Sequence, residues 1–169
     1  MIAGNLALVG LWLLNRRRRR RGKGALLRLD GRRLSLLLLL LALVPGLLVN
    51  QILKEHWGRA RPVQVSEFGG ERPFTPAFVY TGASGGSFCS GHVAAAAYVA
   101  AVAHLLAGPR SAWVLLAMLY TLLVGLARIA AGGHFLSDAI VAACLVLFGY
   151  LMLRRLFERG DRASMADAD

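Results

Sequence analysis

Apolar residues along this chain fall in long unbroken blocks. They do not alternate as in a half-buried strand, and they do not form the one-sided stripe of a surface helix. From Leu34 to Leu53 about twenty residues pass without a charge. At roughly 1.5 Å per residue that length crosses a hydrocarbon core about 30 Å thick. Ser111–Ala127 and Phe135–Leu153 read the same way, the second interrupted by a single acid, Asp138. His92–Ala107 is Ala-rich and slightly short, and Met1–Leu14 is shorter still. The pattern predicts an all-α, polytopic transmembrane helical bundle with four spans and a doubtful fifth at the start. It also divides the chain into three parts. Residues 1–33 form a short apolar helix and an Arg-rich cytoplasmic loop, 34–157 a membrane-embedded core, and 158–169 a disordered, acidic, small-residue tail.

Polar positions set the orientation. The chain is 57% hydrophobic yet carries a formal charge of +11, which at first suggests a nucleic-acid partner. The location of the charge argues against one. Arg16–Arg21, Lys23, Arg28, Arg32 and Arg33 lie between the first two apolar blocks, and Arg154, Arg155, Arg159 and Arg162 follow the last. Short loops rich in Lys and Arg stay in the cytoplasm, and such a loop also attracts anionic lipid headgroups. With those loops inside, the segments from Lys54 to Cys89 and from Arg128 to His134 face the periplasm or exterior. Fifteen of the 20 basic residues then lie inside. The other five, Lys54, Arg59, Arg61, Arg72 and Arg128, run against the rule and need a chemical reason. No signal peptide is read at the N-terminus, because the positive region follows the apolar stretch there. The two cysteines, Cys89 and Cys144, have no metal-ligand spacing and no framework for pairing.

The outward basic residues gather in three segments. The first is Lys54-Glu55-His56-Trp57-Gly58-Arg59-Ala60-Arg61-Pro62, the second Cys89-Ser90-Gly91-His92, and the third runs from Arg128 through His134 to Asp138. Ionisable groups at membrane helix ends point to function. A phosphate ester needs cations on its non-bridging oxygens, and Lys54, Arg61 and Arg128 can supply them. Ser90 and Gly91 open a helix whose free N–H groups favour an anion. His134 and Asp138 stand four apart on one helix face, so the carboxylate can orient the imidazole. His134 can act as a nucleophile and His92 as the general acid. His56 and His104 read as structural, and Trp57 and Trp113 as interface-belt residues.

These segments resemble the signature of the phosphatidic acid phosphatase type 2 superfamily, K-x6-RP, PSGH and SR-x5-H-x3-D. Lys54, Arg61 and Pro62 match the first part, Ser90-Gly91-His92 the second, and Arg128, His134 and Asp138 the third. Cys89 stands where the family has Pro, and Ala127 where it has Ser. The resemblance covers Leu34 to about Leu153. It implies a metal-independent, cofactor-free lipid phosphatase in which His134 is the nucleophile, Asp138 its partner and His92 the proton donor. Lys54, Arg61, Ser90, Gly91 and Arg128 would bind phosphate. The family's membrane members have six helices, so the first would lack a counterpart here. The stretch from Lys54 to Gly70 is similar to bacterial members acting on lipid A or polyprenyl phosphates, with Arg59 and Arg72 as candidate headgroup contacts. Phosphatidylglycerol phosphate, phosphatidic acid and non-catalytic binding of a phospholipid stand as alternatives.

Overall fold

The computed structural model describes residues 2–24, 28–83 and 85–166. Its regular elements are helical: α1 (Ile2–Arg20), α2 (Gly31–His56), α3 (Gly91–Ala107), α4 (Ala112–Ala130) and α5 (Leu136–Ala166). Among the described residues, α2, α4 and α5 contain spans long and apolar enough to cross a membrane, and α3 is a shorter apolar helix. The all-α membrane bundle read from the sequence is therefore the fold. The doubtful first block is helical, but α1 ends in a turn of four arginines and is not one of the three spans.

Two long helices, α2 and α4, start on a residue that accepts a hydrogen bond from the first turn, where N–H groups lack helical partners. Asp30 accepts from Arg33 N at 2.8 Å and Ser111 from Trp113 N at 3.3 Å. Asp138, inside the first turn of α5, accepts from Phe135 N at 2.9 Å. The sequence does not announce one feature of α2. From Ala42 to Leu53 it winds in wide, π-type turns around Pro45. Proline has no N–H for the preceding turn and its ring crowds the carbonyl there, and a wide turn accommodates both. The Asn50 side chain caps the disturbance by donating to Pro45 O at 2.6 Å.

The centre of the bundle is α3, which packs on α4 and α5, while α2 lies against α3 and α5 and carries α1 on its outer side. Leu37, Leu40, Val49, Ala94, Ala142 and Val146 are almost wholly buried there. In lipid such contacts hold helices together by close packing rather than by escape from water, and the small residues of α3 allow that approach. By contrast α4 exposes Leu115, Leu116, Leu119, Leu122, Leu123 and Leu126, a face suited to acyl chains. The last helix runs through Ala166 and carries an Arg154–Glu158 contact of 2.7 Å. Residues 167–169 lie outside the described residues.

Candidate active site

Three backbone hydrogen bonds bring the polar segments together in pairs at one end of the bundle. Ser87 N donates to Arg59 O at 3.1 Å, joining the Lys54–Pro62 segment to the loop before α3. Val63 N donates to Gly132 O at 3.2 Å, joining it to the turn between α4 and α5. Ser90 N donates to Asp138 O at 3.3 Å, closing the triangle. The long loop is thus a folded cap, also pinned by Trp57 Nε1 on Ala77 O at 2.8 Å.

Within this frame His134 is 3% exposed and Asp138 fully buried. The direct carboxylate–imidazole hydrogen bond expected from their spacing is not made, because Nδ1 and Oδ2 are 4.0 Å apart. Nδ1 lies instead 2.7 Å from the carbonyl oxygen of Ser87. A carbonyl can only accept, so Nδ1 carries the proton and the neutral ring keeps its lone pair on Nε2. Burial holds the His134 pKa below its ordinary value and outweighs the Ser87 carbonyl and Asp138, which favour the charged ring; Arg128 and Arg61 push the same way as burial. At neutral pH the ring is therefore unprotonated.

Asp138 is committed elsewhere. Its Oδ1 is 2.5 Å from Arg59 Nη1, and its Oδ2 accepts from Ser87 Oγ at 2.6 Å and from Phe135 N. Arg59 also donates to Ser137 Oγ at 2.8 Å and Thr75 O at 2.9 Å, and its guanidinium lies 4.2 Å from the Phe135 ring centroid. Arg59, the candidate headgroup contact, is 3% exposed and turns Nε and Nη1 inward. Ser87 was not singled out by the sequence at all. It touches both residues, Asp138 through its hydroxyl and His134 through its carbonyl.

The cations stand around this centre. Lys54 and Arg128 are near enough to His92, and Arg61 and Arg128 near enough to His134, for their charges to act on the imidazoles. Arg61 and Arg128 each have a buried Nε with no hydrogen-bond partner among the described residues. Buried guanidinium donors without acceptors are costly, and an anion between them removes that cost. Gly133 makes room for one of them, since a Cβ there would come within 2.4 Å of an Arg128 terminal nitrogen. Gly91 is also a close approach, but to protein, because a Cβ would meet Asn50 Oδ1 at 2.3 Å. Ser90 is fully buried, its N–H taken by Asp138 O and its Oγ by a long 3.5 Å cap to Val93 N. Only its hydroxyl hydrogen is left to offer. His92 is exposed at the rim. Arg72 is half-buried in the cap, its backbone paired with Gln64 and Ser66. Cys89 is fully buried and burial pushes its thiol up to about 12.

The family model of the PAP2 superfamily matches residues 33–161, which include every one of these groups. The chain belongs to the PAP2 superfamily. Within that family it is 34% identical over 121 residues to the lipid A 4'-phosphatase of Francisella tularensis subsp. novicida (strain U112), covering 68% of this chain and 54% of the relative. It is 38% identical over 115 residues to the lipid A 4'-phosphatase of Rhizobium leguminosarum, covering 64% and 48%. The lipid A 4'-phosphatase of Rhizobium etli (strain ATCC 51251 / DSM 11541 / JCM 21823 / NBRC 15573 / CFN 42) is 41% identical over 115 residues, covering 64% and 44%. The chain thus spans about half the length of the curated relatives it matches. No solved structure gives a significant match.

Proposed function

We propose that this PAP2 protein is a membrane-embedded phosphatase that removes phosphate from a lipid through a phosphohistidine. One observation carries the reading: the unpartnered Nε groups of Arg61 and Arg128 stand beside a buried, neutral His134 whose Nδ1 is fixed by Ser87. In the proposed reaction Lys54, Arg61 and Arg128 bind the non-bridging oxygens. The Nε2 lone pair of His134 attacks phosphorus, forming an N–P bond as the bond to the lipid oxygen breaks. His92 gives that oxygen a proton. Water then attacks phosphorus with His92 as base, releasing inorganic phosphate and restoring His134. Charge spread over the transferring group is stabilised by cations already held in place.

The substrate reading is lipid A, with polyprenyl phosphates next, and it is supported by three relatives named as lipid A 4'-phosphatases. Phe78 and Tyr80, 76% and 65% exposed, and Arg72 line the cap in a way that suits a bulky anionic headgroup at the interface. With the Arg-rich loop inside, the site faces the periplasm. Burial makes Cys89 unsuitable for testing this, so an exposed cap position such as Glu71→Cys replaces it; labelling by an impermeant thiol reagent only from the cytoplasmic side would reverse the orientation.

The deciding experiment measures phosphate release by the purified protein from lipid A, a polyprenyl phosphate, phosphatidylglycerol phosphate and phosphatidic acid, with and without vanadate. Lipid A should be turned over fastest and vanadate should inhibit. Faster turnover of phosphatidylglycerol phosphate or phosphatidic acid would sink the substrate reading. Binding of these lipids without release from any of them would leave a non-catalytic binder.

A further inference from the structure

At the end of the bundle opposite the catalytic cap lies a second group of polar residues that the proposed reaction does not use. His104 sits near the end of α3, thirteen positions beyond Gly91 and so roughly 20 Å along the helix. Its Nδ1 is 2.7 Å from the hydroxyl of Tyr150 on α5, and Tyr150 is 3% exposed. Two cavities share this pair in their walls. One, of about 390 Å³, is lined by Arg28, Arg32, Arg33 and Arg154 with Asp30 and Glu158. The other, of about 460 Å³, is an apolar groove between α4 and α5 floored by Ala97, Ala101 and Ala143. His104 and Tyr150 line both.

We propose that the two neighbouring cavities together bind an anionic phospholipid, with its headgroup among the arginines and an acyl chain in the groove. The four guanidiniums come from the segment before α2, from α2 itself and from α5, and they face two carboxylates, so the cavity is net positive. Asp30 is occupied capping α2. Arg33 gives Nη1 to Arg28 O and has Nε 4.0 Å from Asp30 Oδ2, and Arg154 gives Nε to Glu158. A solvated topology signal needs no cavity, and a free anion needs no groove. A positive cavity beside an apolar groove fits a lipid with a charged phosphate. His104 and Tyr150 mark the boundary, where a polar headgroup gives way to hydrocarbon. This site is independent of the catalytic chemistry at the cap.

The test uses the full chain with His134→Ala, so that binding is read without turnover, and three probes: phosphatidylglycerol, phosphatidylcholine and inorganic phosphate. Native mass spectrometry should show phosphatidylglycerol retained in preference to phosphatidylcholine. Arg28→Gln and Arg154→Gln should each weaken it about fivefold, the effect of losing one cation near an anionic headgroup. Ala143→Phe, which fills the groove, should also weaken it. In the parent chain retention should fall as salt rises, a measurement that stands even if a variant misfolds. Equal retention of both lipids, or salt-independent retention, would reduce the site to ordinary annular contact. Inorganic phosphate binding as tightly as phosphatidylglycerol would make it a free-anion site. With His134 restored, Arg28→Gln should hydrolyse a short-chain phosphate at the parent rate. Failure of hydrolysis in the parent would count against the phosphatase reading while leaving this one standing.

Discussion

Arg59 at the catalytic end and Arg154 at the opposite end each hold a carboxylate, at 2.5 Å and 2.7 Å. Their surroundings differ. The Arg59–Asp138 pair is 3% and 0% exposed and has further partners in Ser87, Ser137, Thr75 and Phe135 N. The Arg154–Glu158 pair is 42% and 55% exposed on one helix face. A buried charge pair is tolerated only when its remaining polar atoms are satisfied, and the catalytic end meets that condition by folding a long loop over it. The other end leaves its charges in a high-dielectric setting, where they are worth little individually. Distance alone does not separate scaffold from surface; burial and the number of partners do.

The most severe challenge to the catalytic side of this contrast is His134→Ala. Loss of the nucleophile should lower phosphate release by at least about 10⁴-fold, as with other covalent nucleophiles, and circular dichroism should show an intact helical fold. Near-normal turnover by that folded variant would end the assignment. Next comes a pair of neighbours. Arg59→Ala strips a buried carboxylate of its partner and should cost about 3–5 kcal/mol of stability, read by denaturation in detergent. Arg61→Lys, two residues away, should leave stability unchanged and lower kcat/KM by about 10–100-fold, the loss of charge-assisted hydrogen bonds to phosphate. If both variants lose only activity, Arg59 belongs with the phosphate-binding cations and not with the scaffold.

That distinction was not legible in the sequence. The spans could be read because uncharged runs of bilayer length have few other uses, and the three polar segments because His92, His134, Asp138 and their cations keep family spacing. The signature sets Arg61 apart from Arg59, but it gives Arg59 no place in the scaffold. Only the fold brings Arg59 within reach of a carboxylate 79 positions away and turns it inward. The four-residue step from His134 to Asp138 suggested direct contact, but spacing fixes a shared face and not a hydrogen bond. The atom that accepts from Nδ1–H is a backbone carbonyl, Ser87 O, which any residue type could have supplied, so no side-chain pattern marks it. The wide turns of α2 had a visible cause in Pro45, yet a proline in a membrane helix leaves several outcomes open.

The pH dependence sharpens the catalytic side further. His134 holds its proton less tightly when folded than the ordinary 6.5, chiefly through burial. The unfolded chain therefore binds more protons between those two values. The stability this provides is fully present above about pH 6.5 and is lost as pH falls through the lower folded value. Activity should follow the same direction, because the protonated ring has no lone pair to attack with. The acid limb of kcat/KM should lie below pH 6.5. Ser87 supplies its carbonyl from the backbone, so Ser87→Ala should keep Nδ1 fixed while removing one donor to Asp138. A limb above pH 6.5 in the parent would contradict the neutral, buried imidazole.

At the opposite end the expected effects are smallest. Glu158→Gln removes the carboxylate facing Arg154 in an exposed pair four residues apart, with the arginine on the N-terminal side, the less favourable order on a helix. Stability should fall by no more than about 0.5 kcal/mol. The same change takes a negative charge from the basic cavity beside His104 and Tyr150, so retention of phosphatidylglycerol should rise while melting in detergent barely moves. A loss of stability as large as that of Arg59→Ala would show that the exposed pair is a scaffold element after all, and the contrast between the two ends would fail. Unchanged melting together with unchanged lipid retention would preserve the stability contrast and count against the headgroup cavity, because a net-positive pocket that binds an anion has to respond to the removal of a carboxylate from its wall.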